Sequence, residues 1–465
     1  MSERLLFLTG HLAYARLEKV LRAMAPTPFD WSIFDCGVKV AALMTEPILL
    51  RRLPRPIGAD RVITPGRCRA DLAHLSAEFG VPFVRGPDEL KDLPAYLGRA
   101  GAPLDLSRHA IRIFAEIVEA SQLGVERIVA RAHAMRAVGA DVIDLGCLPD
   151  TPFPHLEDSV RALKSEGFAV SVDSAEADEL RRGGKAGADF LLSLTEHTLT
   201  IAAETGARPV LIPAEHGDLD SFVRAAEAAE KRGVKAILDP ILDPIHFGFT
   251  DSLARYRALR ERLPDAEIMM GTGNLTELTE ADSVGVTAIL LGVCSELRIG
   301  NVLTVQVSPH TRRTIQEHDS ARRILFAARE DNALPKGYGD ALLQIHDASP
   351  FPNAPEEIAE IAAQVKDGNF RIETAEDGIH IYNRAGHHVA RDAFALFEKL
   401  AVERDGAHAF YLGAELMKAE IAWRLGKRYA QDEPLDWGCA TDRRVEDVTR
   451  LAAAGHTLRA KGGKG

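Results

Sequence analysis

Between Ala110 and Val307 the chain repeats one pattern eight times, a short apolar run followed by a helical stretch, and this rhythm constrains the fold more than any other feature. The runs are Ile111–Val118, Asp141–Gly146, Ala169–Ser174, Ala188–Ser193, Pro209–Pro213, Val234–Pro240, Ala266–Gly271 and Val286–Gly292. Nearly unbroken apolar strands alternating with helices describe a parallel sheet covered by its own crossovers. Eight such units in roughly 200 residues match a (β/α)8 TIM barrel. A doubly wound open sheet is the structural alternative.

The barrel, expected over 107–310, is only part of a chain of 465 residues. Residues 1–100 alternate strand signals (Leu5–Leu8, Trp31–Cys36, Arg61–Thr64, Val81–Val84) with amphipathic stretches, which predicts a small N-terminal α/β domain. The Gly-, Pro- and charge-rich segment Arg85–Leu106 reads as a linker. From 311 to 465 the rhythm stops. Thr311–Glu330 is a charged helix, and Phe370–Tyr382 alternates with period two around Asp377-Gly378, a hairpin signal. Helices are expected at Asp392–Arg404 and His408–Arg424, giving a C-terminal α+β domain that ends in a basic, Gly-rich tail. The fold class is therefore α/β, a TIM barrel flanked by two smaller domains.

A net charge of −12 with no basic, aromatic-rich patch argues against a general nucleic-acid surface. The five cysteines, Cys36, Cys68, Cys147, Cys294 and Cys439, are widely spaced and form no CxxC pair, which fits reduced thiols. There is neither a signal-peptide pattern at the N-terminus nor an apolar stretch of ~18 residues, so a cytoplasmic protein without membrane association is expected.

Active-site chemistry in such barrels sits at the C-terminal ends of the strands. Here those ends offer Glu116, Asp144, Asp173, Ser193, Thr195, Glu215, Asp239, Asn274, Glu296 and Arg298. A single Asp after a strand often caps the next helix. Carboxylates recurring at several strand ends are harder to explain that way. A ring of inward carboxylates suits a ligand with several N–H donors, because one carboxylate accepts two parallel bonds from a guanidine-like edge. A pterin presents that edge through its 2-amino group and N3–H; sugars, amino acids or a metal would suit such a ring too.

These motifs resemble the pterin-binding barrel shared by dihydropteroate synthase and the corrinoid-dependent methyltransferases. Gly139-Ala-Asp-Val-Ile-Asp144-Leu-Gly is similar to the family's second-strand signature, Val170-Ser-Val-Asp173-Ser to the third, and Ile237-Leu-Asp239-Pro with Gly248-Phe249 to the sixth. The resemblance implies that Asp173 and Asp239 hold the pterin and that Ser193 or Thr195 stands where the family places an asparagine. It departs after the seventh strand, where Gly271-Thr-Gly-Asn274-Leu replaces the family's Ser-Arg-Lys, and near the eighth, where Arg298 is the nearest basic candidate. Phe34–Thr45 and His408–Ala422 resemble the dihydropteroate synthase-related proteins of methanogens and methylotrophs. That resemblance implies a transferase of tetrahydromethanopterin biosynthesis, joining 6-hydroxymethyl-7,8-dihydropterin diphosphate to 4-(β-D-ribofuranosyl)aminobenzene 5'-phosphate.

In that reaction Asp144, Glu116 and Arg298 are the catalytic candidates. Asp173, Ser193, Thr195, Glu215, Asp239, Gly271, Asn274 and Arg67 are the substrate-binding ones, Arg67 with Arg69 lying at a helix start that favours anions. Mg2+ is expected with the diphosphate. Lys336 is a further phosphate candidate, and His408, Tyr411, Glu415 and Lys418 share one helical face that either closes over the mouth or is a salt-bridged surface. His197, His216 and His246 are scattered, leaving Glu215-His216 as the one acid–histidine neighbour at which a metal is conceivable. A pterin-dependent methyltransferase and a non-catalytic pterin-binding subunit are the alternatives, and a homodimer is expected by analogy with related barrels.

Overall fold

The computed structural model describes residues 2–39, 44–66, 68–87, 90–98 and 105–442. They form two compact units divided between Gly339 and Asp340.

The first unit begins with a parallel sheet of β1 (Glu3–Thr9), β2 (Phe29–Asp35), β3 (Arg61–Thr64) and β4 (Phe83–Arg85), in the order β2-β1-β3-β4. β1 is a continuous apolar run because both of its faces are covered. Leu5 and Phe7 pack against Leu17, Leu21 and Met24 on one side, while Leu6 and Leu8 pack with Met44, Leu49, Val62 and Leu75 on the other. Arg85, placed by the sequence at the start of a linker, is the last residue of β4 and pairs with Thr64.

Eight parallel strands then close into a barrel: β5 (Arg112–Ile117), β6 (Val142–Gly146), β7 (Ala169–Asp173), β8 (Phe190–Leu194), β9 (Arg208–Leu211), β10 (Ile237–Leu238), β11 (Glu267–Gly271) and β12 (Asn301–Thr304). β12 pairs with β5 to complete the ring. The (β/α)8 barrel expected from the sequence is therefore present, with one strand relocated. The apolar run 286–292 lies inside the Ser283–Leu297 helix, and the eighth strand is Asn301–Thr304. A short apolar run does not distinguish a strand from a buried helix. This helix is apolar nearly all round, so its period was hidden.

Strand alternation stacks the barrel interior in three layers. At the N-terminal end Glu267 lies between two arginines. It pairs with Arg112 and, at 2.6 Å, with Arg208, while Asn301 donates to it at 3.1 Å. Burial alone would raise the Glu267 pKa, but these donors and charges outweigh it and hold it below the usual range. Above them Phe114, Val142, Phe190, Val210, Ile237 and Met269 form the apolar middle, with Phe114 and Phe190 edge to face at 5.0 Å. Two residues further along several strands the inward positions become acidic.

The Thr314–Glu330 helix packs on the Ser283–Leu297 helix and on β5, and so completes the barrel; the sequence had assigned it to the C-terminal domain. Its anchor is Arg322, 2% exposed, which donates to the carbonyls of Ile111 and Gly139 and pairs with Asp141 and Asp319. Gly139 has φ +119, and a Cβ there would lie 2.6 Å from Asp319 Cβ, so glycine is required at this junction.

The second unit pairs β13 (Arg371–Ala375), β14 (Gly378–Asn383) and β15 (Gly386–Ala390) as an antiparallel meander. The hairpin expected at Asp377-Gly378 is β13–β14. Helices Ala393–Leu400 and Gly406–Leu425 cover one face through Leu396, Leu400, Leu412, Leu416 and Ala419 against Ile372, Ile379 and Ile381. No helix among the described residues is long and apolar enough to cross a membrane.

Arg322→Ala leaves buried carbonyls and Asp141 without their cation. It is expected to cost about 3 kcal/mol or more of unfolding free energy, measured by urea denaturation, with the Thr314–Glu330 helix the first region to exchange its amide protons.

Candidate active site at the barrel mouth

Glu116, Asp144 and Asp173 come from three consecutive strands. Glu116 is opposite Asp144 in the β5–β6 ladder, and Asp173 is opposite Gly146 in the β6–β7 ladder. Asp239 immediately follows β10, its amide donating to the carbonyl of Leu211 at 2.9 Å. Side chains on alternate residues face one side of a strand, so the same period that puts Phe114, Val142 and Ile237 in the apolar layer puts Glu116, Asp144 and Asp239 above them.

Each carboxylate has specific support. Ser171, two residues before Asp173 on the same strand, donates to Asp144 Oδ1 at 2.5 Å. Asp144 is fully buried, and its Oδ2 has no hydrogen-bond partner among the described residues. Ser193 donates to Asp173 at 2.6 Å. Ser193 has φ +64 and sits at an irregularity in the β8–β9 ladder; this distortion re-aims its side chain toward Asp173. Asp239 Oδ1 accepts from the amide of Ile241 at 2.8 Å and from the hydroxyl of Tyr256 at 2.9 Å. Gly146 makes the room: a Cβ there would overlap the Glu116 carboxylate, whereas one at Gly271 would make only an ordinary 3.8 Å contact with Asp239 Oδ2.

The electrostatics follow from this crowding. Burial, then the field of Asp173, pushes Glu116 up to about 7. Burial, followed by Asp173 and Glu116, raises Asp144 well above the carboxylate range. Burial raises Asp173 against the opposing bond from Ser193. Burial also takes Asp239 to about 6, partly resisted by Ile241 and Tyr256. Four carboxyl groups share one low-dielectric mouth, where the field of Arg255 offsets only part of the rise at Asp239, so some remain protonated near neutrality until a ligand brings donors or positive charge.

The loop after β10 carries a second buried acid. Asp243 pairs with Arg255 at 2.6 Å, and His216 Nε2 lies 3.4 Å from the same oxygen. Arg255 also donates to the carbonyl of Ile241 at 2.9 Å, which fixes the loop bearing Asp239. Asn274 Nδ2 donates to the carbonyl of Leu242 at 2.8 Å, so it ties the loop after β11 to the loop after β10.

Other sequence candidates lie elsewhere. Arg298 is the left-handed residue that ends the Ser283–Leu297 helix, and its carbonyl accepts from Arg260, which also holds the carbonyl of Ala266 just before β11. Arg298 and Glu296 are thus at the N-terminal end of the barrel, opposite the carboxylates, because the strand they were thought to follow is a helix running the other way. Lys336 follows the Thr314–Glu330 helix at that same end, its carbonyl bonded to Arg16. Glu215 is exposed on the loop after β9. Thr195 is engaged in a local turn, its Oγ1 accepting from the amide of His197 at 3.3 Å. Arg67 lies outside the described residues. Tyr411, Glu415 and Lys418 belong to the second unit's own bonding. Tyr411 donates to Asp432, and Glu415, 8% exposed, holds Lys418 and Tyr429.

Relocating the eighth strand moves the basic residues that follow it. His310, Arg312 and Arg313 lie between β12 and the Thr314–Glu330 helix, at the strand's C-terminal end. Glu277 fixes this loop by accepting from the amides of Val307 and Ser308 and from the Thr311 hydroxyl at 2.6 Å. Sequence reading passed over these basic residues, and over Ser171, Tyr256, Asp243 and Arg255. Ser171 was legible as the inward position before Asp173, and Asp243 as the second Asp-Pro after β10; Tyr256 and Arg255 carry no local signal.

Comparison with known proteins gives three findings. A family model described as a family of unknown function (DUF6513) matches residues 3–88. The chain is 24% identical to an uncharacterized protein of Methanocaldococcus jannaschii over an alignment covering 92% of this chain and 98% of that one. It is similar to solved dihydropteroate synthases. That of Yersinia pestis with a pterine-sulfa conjugate is 20% identical, with 49% of this chain and 95% of that one covered and a TM-score of 0.38. That of Thermus thermophilus in complex with 6HMPPP is 24% identical, with 48% and 95% covered and a TM-score of 0.38.

The raised Glu116 pKa fixes the sign of a pH effect. Between its unfolded value of 4.5 and its folded value of about 7 the folded state holds the extra proton, so its contribution to stability falls as pH rises through that window. Glu116→Gln is therefore expected to flatten the fall in unfolding free energy between pH 5 and pH 8, and to exceed the wild type in stability at pH 8. Urea titrations across that range check this, and an unchanged slope contradicts it.

Proposed function

We propose that the barrel binds a pterin at its mouth and acts as a dihydropteroate synthase-like transferase. The observation that carries this reading is the set of buried acids centred on Asp173, with Asp144 Oδ2 left without a partner among the described residues. Such a site disfavours anions at its floor and favours a flat heterocycle with adjacent N–H donors, which turns the cost of burying carboxylates into charge-assisted hydrogen bonds. Asp173 and Asp239 accept from the 2-amino and N3–H edge, and Ser193 orients Asp173.

In the finer reading the substrates are 6-hydroxymethyl-7,8-dihydropterin diphosphate and 4-(β-D-ribofuranosyl)aminobenzene 5'-phosphate. The aryl amine nitrogen forms a bond to the pterin methylene as the carbon–oxygen bond to diphosphate breaks and its electron pair leaves with the diphosphate. The amine then loses a proton. Positive charge develops on the methylene, and the ionised acids above the apolar layer stabilise it without reorganising. Glu116 and Asp144, neighbours across the β5–β6 ladder, are the acids assigned to this step.

A Mg2+ ion accompanying diphosphate needs only one or two protein carboxylates, since phosphate oxygens and water fill the remaining positions. Glu116 and the unpartnered oxygen of Asp144 suit that requirement, and the ion would supply charge neutralisation for the leaving diphosphate. Arg312 and Arg313, at the start of the Thr314–Glu330 helix, replace Arg298 as the groups that receive the phosphates.

The test is diphosphate release by the full chain with dihydropterin diphosphate, Mg2+ and either the ribosylated amine or 4-aminobenzoate. Release that requires the ribosylated amine is the expected result, and silence with both in protein that binds pterin sinks the synthase reading and favours methyl transfer. Asp173→Asn is expected to lose about 2–3 kcal/mol of pterin affinity by calorimetry. Replacing Arg312 and Arg313 together by Ala should leave binding of the bare pterin unchanged and raise KM for the diphosphate about tenfold or more.

A further inference from the structure

None of the acids at the barrel mouth comes from the sheet β1–β4, and that sheet has a crevice of its own. Its strand order is β2-β1-β3-β4, all parallel. The Tyr14–Ala23 helix, which follows β1, lies on the face of Leu5 and Phe7 through Leu17 and Leu21. The Glu46–Arg52 and Leu72–Phe79 helices, which follow β2 and β3, lie on the opposite face, where Leu49 and Leu75 pack with Leu6 and Leu8. β1 and β3 are hydrogen-bonded neighbours, so two adjacent strands send their connections to opposite faces. Such a divergence opens a crevice above the C-terminal ends of the two strands, which is where open parallel sheets take up ligands. Gly10 follows β1 directly and Gly66 follows β3 by two residues, so the backbone is open to close approach on both sides.

Charge indicates what the crevice takes. Lys39, Arg52, Arg69 and Arg85 are exposed at this edge, and none of them makes an ion pair among the described residues. The carbonyl of Lys39 accepts from the amide of Leu12, in the connection after β1, at 3.2 Å. The Arg52 guanidinium lies against Gly37, 3.0 Å from where a Cβ would stand. Arg69 is in the connection after β3, and Arg85, the last residue of β4, donates to the carbonyls of Gly66, at 3.0 Å, and Cys68 in that same connection. The acids nearby are already engaged. Asp35 accepts from the Gly37 amide at 2.8 Å and lies 3.1 Å from His11 Nδ1. Glu46 lies 2.7 Å from His74 Nδ1, and Asp71 caps the Leu72–Phe79 helix. A chain of net charge −12 thus gathers four uncompensated cations at one sheet edge. Three are arginines, whose planar forks match phosphate oxygens. We propose that this edge is a second binding site, for a small phosphomonoester. Arg69 and Arg85 hold its phosphate on the β3 side, Lys39 and Arg52 add attraction from the β2 side, and the rest of the molecule enters the crevice between β1 and β3. Nucleic acid is a poorer match, because the cations occupy one short edge of a chain that is otherwise negative. The site is independent of the pterin reading, and it gives Arg69 a ligand other than the barrel's substrates.

Titration calorimetry on the full chain, with inorganic phosphate, ribose 5-phosphate and adenosine 5'-monophosphate as probes, tests this. Saturable binding is expected, tighter for the two esters than for inorganic phosphate and absent for adenosine. Hydrogen exchange with ester bound should show protection at residues 9–13 and 64–66. Arg69→Gln should weaken ester binding about tenfold, and adding Arg52→Gln should weaken it further, with the thermal midpoint and pterin binding unchanged. No saturable binding of any probe at millimolar concentration overturns the proposal. So does an ester affinity indifferent to Arg69→Gln, or protection confined to the barrel, because the phosphate would then sit elsewhere. A short RNA that binds where the three probes do not overturns it as well.

Discussion

Asp173 sets the character of the barrel mouth, because its field reaches the other three acids. It raises Glu116, Asp144 and Asp239 together, on top of the larger effect of burial on each. Holding several carboxyl groups in one dry space is unfavourable for the empty protein. The surrounding structure sustains it with Ser171, Ser193 and Tyr256 as donors, and with a glycine at position 146 that leaves the space in which Glu116 stands. Crowding of this sort is characteristic of functional sites, and a ligand that supplies donors relieves it.

The rest of the barrel makes that arrangement possible by dividing polar chemistry between two ends. Glu267, Arg112, Arg208 and Asn301 satisfy one another at the N-terminal end, so that end is closed and electrically paired. Phe114 and Phe190 with their aliphatic neighbours separate it from the mouth. The acids at the mouth therefore have no access to the arginines below, and their pKa values stay raised. Arg322 closes the ring from outside by joining the last helix to the β5 and β6 strand starts, which keeps the ladder register that sets Glu116 beside Asp144.

Much of this was legible in the sequence, and the failures have physical causes. Asp144, Asp173 and Asp239 stood out because each interrupts or ends an apolar run, and strand periodicity alone turns such residues toward one interior. Glu116 was found the same way. The run 286–292 misled because a helix buried on its barrel side and apolar on its outer side loses the 3.6-residue contrast that identifies helices. That one error displaced the eighth strand, put Arg298 at the wrong end of the barrel, and pushed the Thr314–Glu330 helix out of the fold to which it belongs. Ser171 was passed over, although the same alternation that revealed Asp173 turns it toward the interior. Arg255 and Tyr256 reach the site from a helix, across a distance that no local pattern reports.

The central claim is that the mouth holds protons that a donor-rich heterocycle displaces. Titration calorimetry with a dihydropterin near pH 6.5, repeated in buffers of different ionisation enthalpy, measures this directly. Ionised carboxylates must receive the ligand's N–H groups, so binding is predicted to release protons to the buffer, with the release diminishing as pH rises above 7 and diminished in Glu116→Gln. Binding with no net proton release at any pH between 6 and 8 would contradict the account, because the acids would then be ionised before the ligand arrived or would play no part in holding it.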